Sequence, residues 1–184
     1  MNRFLRTIFA LVVASLLHGC APLLNSTERL PTGGIPRPDR AVLVYGVTDE
    51  GQWHGQILNV SLDEYSLKQQ KITGNCWRFN RTEASVPSAT KTAQYFAFDV
   101  PAGHYVYSAF HGPSGIPSNA YAAPNGKTVY VGTFVYTQNK TMELRRDIEK
   151  DKNRIVSALP GLPESIELAD AVPVTRPQGF LCAP

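Results

Sequence analysis

The sequence predicts a mainly β fold, an antiparallel β-sandwich with one C-terminal helix, and three observations carry this prediction. Short segments rich in β-branched and aromatic residues recur between Ala41 and Gln138, and this composition favours strands. Turn residues such as Asp49-Glu50-Gly51 and Pro101-Ala102-Gly103 separate the segments at short intervals, as they do in antiparallel sandwiches. Helical periodicity follows these segments, in residues 147–159.

The first 19 residues have the pattern of a signal peptide. Arg3 and Arg6 precede an apolar run at residues 8–17, which is too short to cross a membrane because a spanning helix needs roughly 20 apolar residues. The run ends in "LHGC" at residues 17–20, which resembles the lipobox of bacterial lipoproteins. The resemblance implies cleavage before Cys20 and attachment of the lipid anchor to that cysteine. The alternative is an ordinary secretory signal that contains a cysteine.

One position of the lipobox match is unusual, because His18 stands where a small or aliphatic residue is usual. The resemblance also implies a location. Ala21 stands where an Asp would resemble the inner-membrane retention signal of enteric-type bacteria. We therefore expect the protein to be held in the outer membrane by its lipid and to face the periplasm, with the inner membrane and the cell surface as alternatives.

Residues 20–40 follow the signal peptide and have the composition of a linker. Four prolines and the pair Gly33-Gly34 interrupt this segment, which has no apolar periodicity. We predict that it is a flexible tether for the lipidated Cys20, with a partner-binding segment as the alternative. Residues 41–184 would then form one periplasmic domain.

The first half of this domain predicts three strands. "AVLVYGV", from Ala41, is continuously apolar and predicts a buried strand. Leu58, Val60 and Leu62 alternate with polar residues, as in a half-buried strand. "CWRFNRTEA", from Cys76, alternates aromatic and polar residues and predicts another strand.

The second half predicts a hairpin and a central strand. "QYFAFDV" and "HYVYSAF" flank residues 101–103, and Gly103 would supply the permissive backbone of a tight hairpin. "KTVYVGTFVYTQ", from Lys127, is apolar on both faces and predicts the central strand. Strict alternation along it gives two faces, namely Val129, Val131 and Val135 on one, and Tyr130, Phe134 and Tyr136 on the other.

A helix is predicted near residues 147–159. The spacing of its apolar residues places them on one face, and they are Ile148, Ile155, Val156 and Leu159. Asp147 is a capping residue at the start, and Pro160-Gly161 ends the helix.

Residues 94–137 carry a family resemblance. "FDVPAGHYVYSAF" followed by "APNGKTVYVGTFVY" is similar to small bacterial lipoproteins whose soluble part is a transthyretin-like β-sandwich of uncharacterised function. The resembling features are a strand, a Pro-X-Gly turn, a second strand, and a Gly-Lys turn that opens a strand with Tyr and Gly. The resemblance implies a fold and supplies no active site.

Two cysteines remain once the lipidated Cys20 is set aside. The periplasm is oxidising, and an even remainder suggests pairing, so we predict a disulfide between Cys76 and Cys182. Such a bond would close a long loop, which contributes about 4–5 kcal/mol by loop-closure entropy. Two separate buried thiols are the alternative.

Charge argues against a nucleic-acid partner. The formal net charge of +3 falls to about +1 when Arg3 and Arg6 leave with the signal peptide, and the sequence has no basic stripe.

Short motifs in the chain lack the context that catalysis needs. Residues 88–91 fit Ser-x-x-Lys, but they lie in a loop-like segment without the partner motifs of that chemistry. Residues 125–128 resemble the end of a phosphate-binding loop, but the earlier glycine and the following helix are missing. Asp63 and Glu64 are adjacent on a predicted strand, so their side chains point to opposite faces and solvated charge is preferred.

The histidines do not form a metal pattern. His54, His104 and His111 are scattered, whereas zinc ligands usually cluster at short spacing. We therefore predict no catalytic residues, no metal and no cofactor.

The segment from His111 to Asn125 is the best candidate for binding, because ordered loops on a rigid scaffold often carry function. Its candidate residues are His111, Ser114, Asn119 and Tyr121, and Tyr121 offers an amphipathic contact surface. The alternative is a plain connection, with a short strand at residues 119–123.

These features predict a non-enzymatic, lipid-anchored envelope module that binds a partner protein or another envelope component. The second hypothesis is a small-ligand or inhibitor-type binder, and the third is an enzyme that acts on an envelope polymer. An exposed apolar patch around residues 111–125 would favour protein binding. A deep pocket with polar lining groups and perturbed histidines would favour the other two.

Overall fold

Two curled β-sheets pack face to face, and one helix lies on the outer side of the second sheet. The computed structural model describes residues 24–35, 37–74, 78–108, 113–163, 165–175 and 177. The prediction of a mainly β sandwich with one helix is confirmed. The elements are β1 (Leu24–Asn25), β2 (Glu28–Arg29), β3 (Ala41–Asp49), β4 (Ile57–Ser66), β5 (Lys71–Ile72), β6 (Arg78–Phe79), β7 (Arg81–Pro87), β8 (Gln94–Val100), β9 (Gly103–Tyr107), β10 (Asn119–Ala123), β11 (Thr128–Tyr136), β12 (Met142–Arg145), α1 (Ile148–Ala158), β13 (Ile166–Leu168) and β14 (Ala171–Pro173).

The strand order places sequence-distant strands side by side. Sheet I has the order β14-β10-β9-β4-β5, and β7 also pairs with β4. Sheet II has the order β12-β11-β3-β8-β2, and β13 also pairs with β11. Most pairs are antiparallel, as predicted, but β3 and β11 run parallel at the centre of sheet II. Strands that are joined by long crossovers through the other sheet are free to run in the same direction.

Strand β3 is buried along its whole length, as its continuous apolar sequence predicts. Leu43 and Tyr45 face the core between the two sheets. Val42 and Val44 face the opposite way, into a smaller cluster that contains Ile155 of α1. A sheet strand that is covered on both faces needs apolar side chains at successive positions.

A β-bulge in β11 makes the predicted division of its faces wrong. Val129 and Val131 face the core between the sheets, but so do Phe134 and Tyr136. The register with β3 shifts between Tyr130 and Gly132, and the additional residue moves every later side chain to the other face. Gly132 adopts a φ of 139° there, which L side chains rarely adopt.

The predicted hairpin around residues 101–103 is also wrong, although both of its strands are present. Strand β8 pairs with β3 in sheet II, whereas β9 pairs with β4 and β10 in sheet I. The turn therefore carries the chain from one sheet to the other, and Gly103 is not among the residues with positive φ. The Tyr105 hydroxyl donates to the Pro101 carbonyl at 2.8 Å and holds this corner.

The described part of the predicted linker packs on the sandwich. Strand β2 pairs with β8, with Glu28 opposite Asp99. The Asp99 carboxylate is buried and accepts from Arg40 Nε at 2.5 Å and from Arg37 Nε. Buried carboxylates are stable when they are paired and hydrogen-bonded, so residues 37–40 are held by charge, which an apolar pattern does not reveal.

Helix α1 agrees with its prediction at both ends. The Asp147 carboxylate accepts the Lys150 N–H at 3.1 Å, and the helix ends before Pro160. Ile155 is fully buried, but Val156 is 37 % exposed and does not belong to the packed face. Within the described residues, no helix is long and apolar enough to span a membrane.

Candidate functional site

The candidate binding segment lies where the edges of the two sheets meet. After β9 the chain passes beside β12 of sheet II and then enters β10 of sheet I, which is the short strand foreseen at residues 119–123. The Met142 N–H donates to the Ser114 carbonyl at 2.9 Å. The Tyr107 hydroxyl donates to the Pro113 carbonyl at 2.9 Å. Residues 113–118 are therefore fixed to both sheets.

Gly115 permits the close approach of this segment to β12. Its φ is 134°, and a Cβ atom there would lie 2.6 Å from the Met142 carbonyl oxygen. Contacts this short do not occur with real side chains, so the position requires glycine.

Two cavities flank the segment. One, of about 370 Å³, lies between the segment, β10 and β12, and we call it the slot. Its lining residues are Gly115, Ile116, Pro117, Asn119, Tyr121, Glu143, Leu144, Arg145 and Arg146. The other, of about 410 Å³, shares Gly115, Ile116, Pro117 and Asn119 with the slot, and Ser114 and Tyr107 contribute to its wall.

Tyr121 is one of the residues that line the slot. It is only 1 % exposed, and its ring belongs to the core between the sheets. Its hydroxyl is buried and has no hydrogen-bond partner within 3.5 Å among the described residues, although the Asn119 side chain lies close enough to lower its pKa. Burial raises the pKa of Tyr121, and the Arg146 guanidinium and the Asn119 side chain offset only part of that rise. The hydroxyl therefore stays protonated and is a donor without an acceptor.

Arg146 lies across the face of the Tyr121 ring. The guanidinium carbon is 5.5 Å from the ring centroid, within the range of a cation–π contact. Arg146 Nε donates to the Val131 carbonyl at 3.0 Å, and Nη2 donates to the Ala169 carbonyl. The bulge in β11 leaves Val131 outside the register with β3, so its carbonyl is available to hold the guanidinium.

The charges of the two neighbouring arginines are balanced differently. Arg145 donates to both carboxylate oxygens of Glu50, at 2.7 and 3.0 Å, and approaches Glu143 at 3.5 Å. The hydrogen bond with Arg145 lowers the pKa of Glu50. Arg146, by contrast, forms no ion pair with any acidic residue in the described part of the chain. Arg146 is therefore the lining cation that no described carboxylate contacts, although Glu50 and Glu143 together carry as much charge as the two arginines.

The structure brings Asn119 and Tyr121 together in the slot, and Ser114 lies at its neighbouring cavity. Tyr121 is buried, however, and offers its hydroxyl rather than an exposed ring. Sequence reasoning missed Arg146 and Leu144, because their approach depends on the pairing of β12 with β11. Gly132 is a local sequence feature that marks the bulge in β11. The contact of Arg146 with the Val131 carbonyl depends in addition on the pairing of β12 with β11.

Several predicted positions lie outside the described residues. They are the signal peptide, the lipidated Cys20, the cysteines Cys76 and Cys182, and His111. The lipid anchor and the disulfide therefore stay predictions.

The Ser-x-x-Lys match has a structural role. The Ser88 hydroxyl lies 2.6 Å from the Trp53 carbonyl and 3.2 Å from Asp49 Oδ2. Lys91 donates to the Glu50 carbonyl at 3.1 Å. These bonds tie the turn after β7 to the turn after β3.

The adjacent acids Asp63 and Glu64 are bonded rather than solvated. Asp63 is 1 % exposed and pairs with Arg81 at 2.6 Å. Glu64 accepts from Thr73 and Asn80 at 2.8 and 2.7 Å. The described residues contain no group of three or more potential metal ligands, and His54 packs against the Trp53 ring at 4.1 Å between centroids.

Comparison of the chain with protein-family models, with curated proteins and with solved structures gives no match.

Proposed function

We propose that this protein is a non-catalytic, lipid-anchored module of the bacterial cell envelope, which binds a partner protein or envelope component through the slot. The observation that carries the binding role is the buried Tyr121 hydroxyl, which has no acceptor among the described residues although Tyr121 is one of the residues that line the slot. An unsatisfied buried polar group costs about 1–3 kcal/mol, and a ligand that accepts its proton would remove that cost. The anchor follows from the lipobox resemblance of residues 17–20.

The walls of the slot form a rigid, preformed binding surface. They consist of two strands and of a segment that is bonded to both sheets at Pro113 and Ser114. A preformed site loses little conformational entropy when it binds. A wall that combines Ile116 and Leu144 with a few polar groups is typical of binding pockets.

The chemistry of the slot favours holding a ligand over transforming it. A general base must be able to accept a proton near the working pH, and burial makes the Tyr121 hydroxyl less able to lose its own. Arg146 is occupied with two backbone carbonyls and the Tyr121 ring. These groups donate hydrogen bonds and orient a ligand.

A small ligand is the second candidate. The slot and its neighbouring cavity measure about 370 and 410 Å³, which lies within the usual range of small-molecule sites. Their rims are continuous with the surface at Pro117, which is exposed, so a segment of a larger partner can also enter.

Site-specific photo-crosslinking in intact cells tests the proposed site. A photoreactive amino acid replaces Pro117 at the slot and, as a matched control, Pro87 on β7 at the opposite edge of sheet I. We expect a discrete adduct from position 117 that is absent from position 87. A protein-sized adduct supports a partner protein, and a small mass increase supports the second candidate. Identical patterns from both positions would contradict a binding role for the slot.

The anchor has a separate test. Replacement of Cys20 by Ser removes the thiol that accepts the lipid, so metabolic labelling with radioactive palmitate should be lost. Replacement of Ala21 by Ser is the control and should leave the label in place. Continued labelling of Cys20→Ser would exclude the lipoprotein assignment.

A further inference from the structure

We propose that the slot binds a carboxylate group of its ligand, held jointly by the Tyr121 hydroxyl and the Arg146 guanidinium. This inference rests on the proposed binding function and specifies the chemistry that the slot recognises.

The slot brings several hydrogen-bond donors together. Tyr121 offers an O–H without an acceptor among the described residues. Arg146 Nη1 makes no hydrogen bond with any described residue, since its two bonds to carbonyls use Nε and Nη2. Asn119 lies two positions from Tyr121 on β10, which places the two side chains on the same face of the strand. A group that accepts several hydrogen bonds at once satisfies this set.

The ion pairs around Arg146 also favour an anionic ligand. Glu50 and Glu143 both contact Arg145, so Arg146 has no carboxylate within ion-pair distance among the described residues. A cationic ligand would be repelled by Arg146. A neutral acceptor would satisfy the Tyr121 hydroxyl and leave Arg146 without an ion pair. An ionised carboxylate does both, and bonds from charged donors to carboxylates are shorter and stronger than bonds between neutral groups.

The lining of the slot also suits such a group. It combines the polar residues Asn119, Tyr121 and Arg146 with the apolar side chains of Ile116 and Leu144. A planar two-oxygen group joined to a carbon chain matches a lining that combines hydrogen-bond donors with apolar side chains. Both a chain-terminal carboxylate and an Asp or Glu side chain have this form.

Nuclear magnetic resonance titration of the intact protein in detergent micelles tests the inference. The probes are N-acetylglycine, its amide N-acetylglycinamide, and the α-amide of N-acetylaspartic acid, and the readouts are the labelled arginine Nε–H and tyrosine ring signals. We expect both acids to shift the Arg146 and Tyr121 signals and the amide to leave them in place. The tighter of the two acids identifies a terminal or a side-chain carboxylate as the source.

Two variants make the test specific. Tyr121→Phe removes one hydroxyl and should weaken acid binding by about tenfold or more, as expected for a hydrogen bond to a charged group. Tyr105→Phe removes a buried hydroxyl elsewhere and should leave binding unchanged. Arg146→Lys should also weaken binding, whereas Arg154→Lys on α1 should not. Binding should decline below about pH 4, where the probe carboxylates become protonated.

The outcomes separate this inference from the proposed function. Equal binding of acid and amide, or acid binding that survives Tyr121→Phe, overturns the carboxylate inference. If cross-linking at position 117 succeeds in that case, the binding function stands with another ligand chemistry. If the acids bind as expected but position 117 captures nothing beyond the control, the proposed partner is wrong and the carboxylate site remains.

Discussion

The hydroxyl groups of Tyr105 and Tyr121 have opposite environments within the same core. The Tyr105 hydroxyl donates to the Pro101 carbonyl at 2.8 Å, whereas the Tyr121 hydroxyl has no acceptor among the described residues. Removal of a satisfied buried hydroxyl loses a hydrogen bond and leaves an acceptor unpaired, while removal of an unsatisfied one eliminates a desolvation cost. Comparison of Phe substitutions at Tyr105 and Tyr121 therefore shows whether the Tyr121 hydroxyl has an acceptor in the free protein.

We predict that Tyr121→Phe leaves the free energy of unfolding of the free protein unchanged or raises it by about 1 kcal/mol, whereas Tyr105→Phe lowers it by about 1 kcal/mol. Urea unfolding of the two variants beside the wild type measures both changes. A loss of more than about 1 kcal/mol in Tyr121→Phe would mean that the hydroxyl has a strong acceptor in the free protein, since only such a bond costs that much to remove.

The Asp49 carboxylate makes the free energy of unfolding decrease as the pH falls. Its Oδ2 accepts from the Ala89 and Trp53 N–H groups at 2.6 and 2.8 Å, and from the Ser88 hydroxyl. Burial raises the pKa of Asp49, but these hydrogen bonds outweigh burial and hold the pKa below its usual value. A lowered pKa in the folded state contributes stability that is present above the unfolded pKa, about 3.9, and is lost as the pH falls through the folded value.

We predict that Asp49→Asn lowers the free energy of unfolding by about 1–3 kcal/mol at neutral pH, because the amide cannot replace a carboxylate that accepts three donors. The gap between wild type and variant should narrow as the pH falls below about 4. Thermal melts between neutral and acid pH measure it, with Asp170→Asn as a surface control. If the difference in the free energy of unfolding between wild type and variant stays constant across this range, the ionised Asp49 carboxylate does not cause it.

At the scale of the elements, the bulge in β11 connects the fold to the slot. A Cβ atom at Gly132 would lie 2.7 Å from Leu144 Cδ1 and 2.9 Å from the Arg145 carbonyl, and its φ of 139° disfavours any L side chain. The same bulge leaves the Val131 carbonyl to hold Arg146. Gly126 also has a positive φ, of 70°, but a Cβ there would make only an ordinary van der Waals contact, at 3.7 Å from the Pro38 carbonyl oxygen.

We predict that Gly132→Ala lowers the free energy of unfolding by about 2–3 kcal/mol, and Gly126→Ala by about 1 kcal/mol, because both lose a favourable backbone and only the first adds a steric conflict. Chemical denaturation of the two variants gives the comparison. Equal losses would mean that the backbone conformation alone decides, and that the packing of β12 against β11 adapts freely.

The sequence predicts the existence of the main strands and of α1, because local patterns determine both. Leu58, Val60 and Leu62 alternate and are all buried, and Asp147 caps the helix as expected. The pairing of β8 and β9 with different sheets depends on partners far along the chain, and so do the bulge at Gly132 and the position of Arg146. The alternation of apolar and polar residues along a strand carries no information on contacts between distant strands. Of the slot, the sequence therefore predicts only the segment from His111 to Asn125.

At the scale of the whole molecule, the docking of the N-terminal segment shortens the proposed tether. The described structure begins at Leu24, four residues after Cys20, so the extended chain between them spans at most about 14 Å. If Cys20 carries the lipid, β1 and the adjoining end of the sandwich lie close to the membrane surface. The Asp99 carboxylate binds Arg37 and Arg40 and holds residues 37–40 on β8, and Arg40 Nη2 in turn donates to the Ser26 carbonyl in the segment before β2.

We predict that Arg40→Gln loosens the N-terminal segment while the sandwich stays folded. Asp99 keeps Arg37 as a partner but loses the bond from Arg40 Nε, and the Ser26 carbonyl loses the bond from Arg40 Nη2. Limited trypsin digestion should therefore cut after Arg29 faster than in the wild type and leave a stable fragment that begins at Leu30, because Pro38 prevents cleavage after Arg37 and the substitution removes the site after residue 40. Lys127→Gln, which breaks the exposed pair with Glu167 at 3.0 Å, is the control and should not change the rate of cleavage. If Arg40→Gln is cut no faster than this control, backbone pairing of β2 with β8 holds the segment without help from the buried ion pairs.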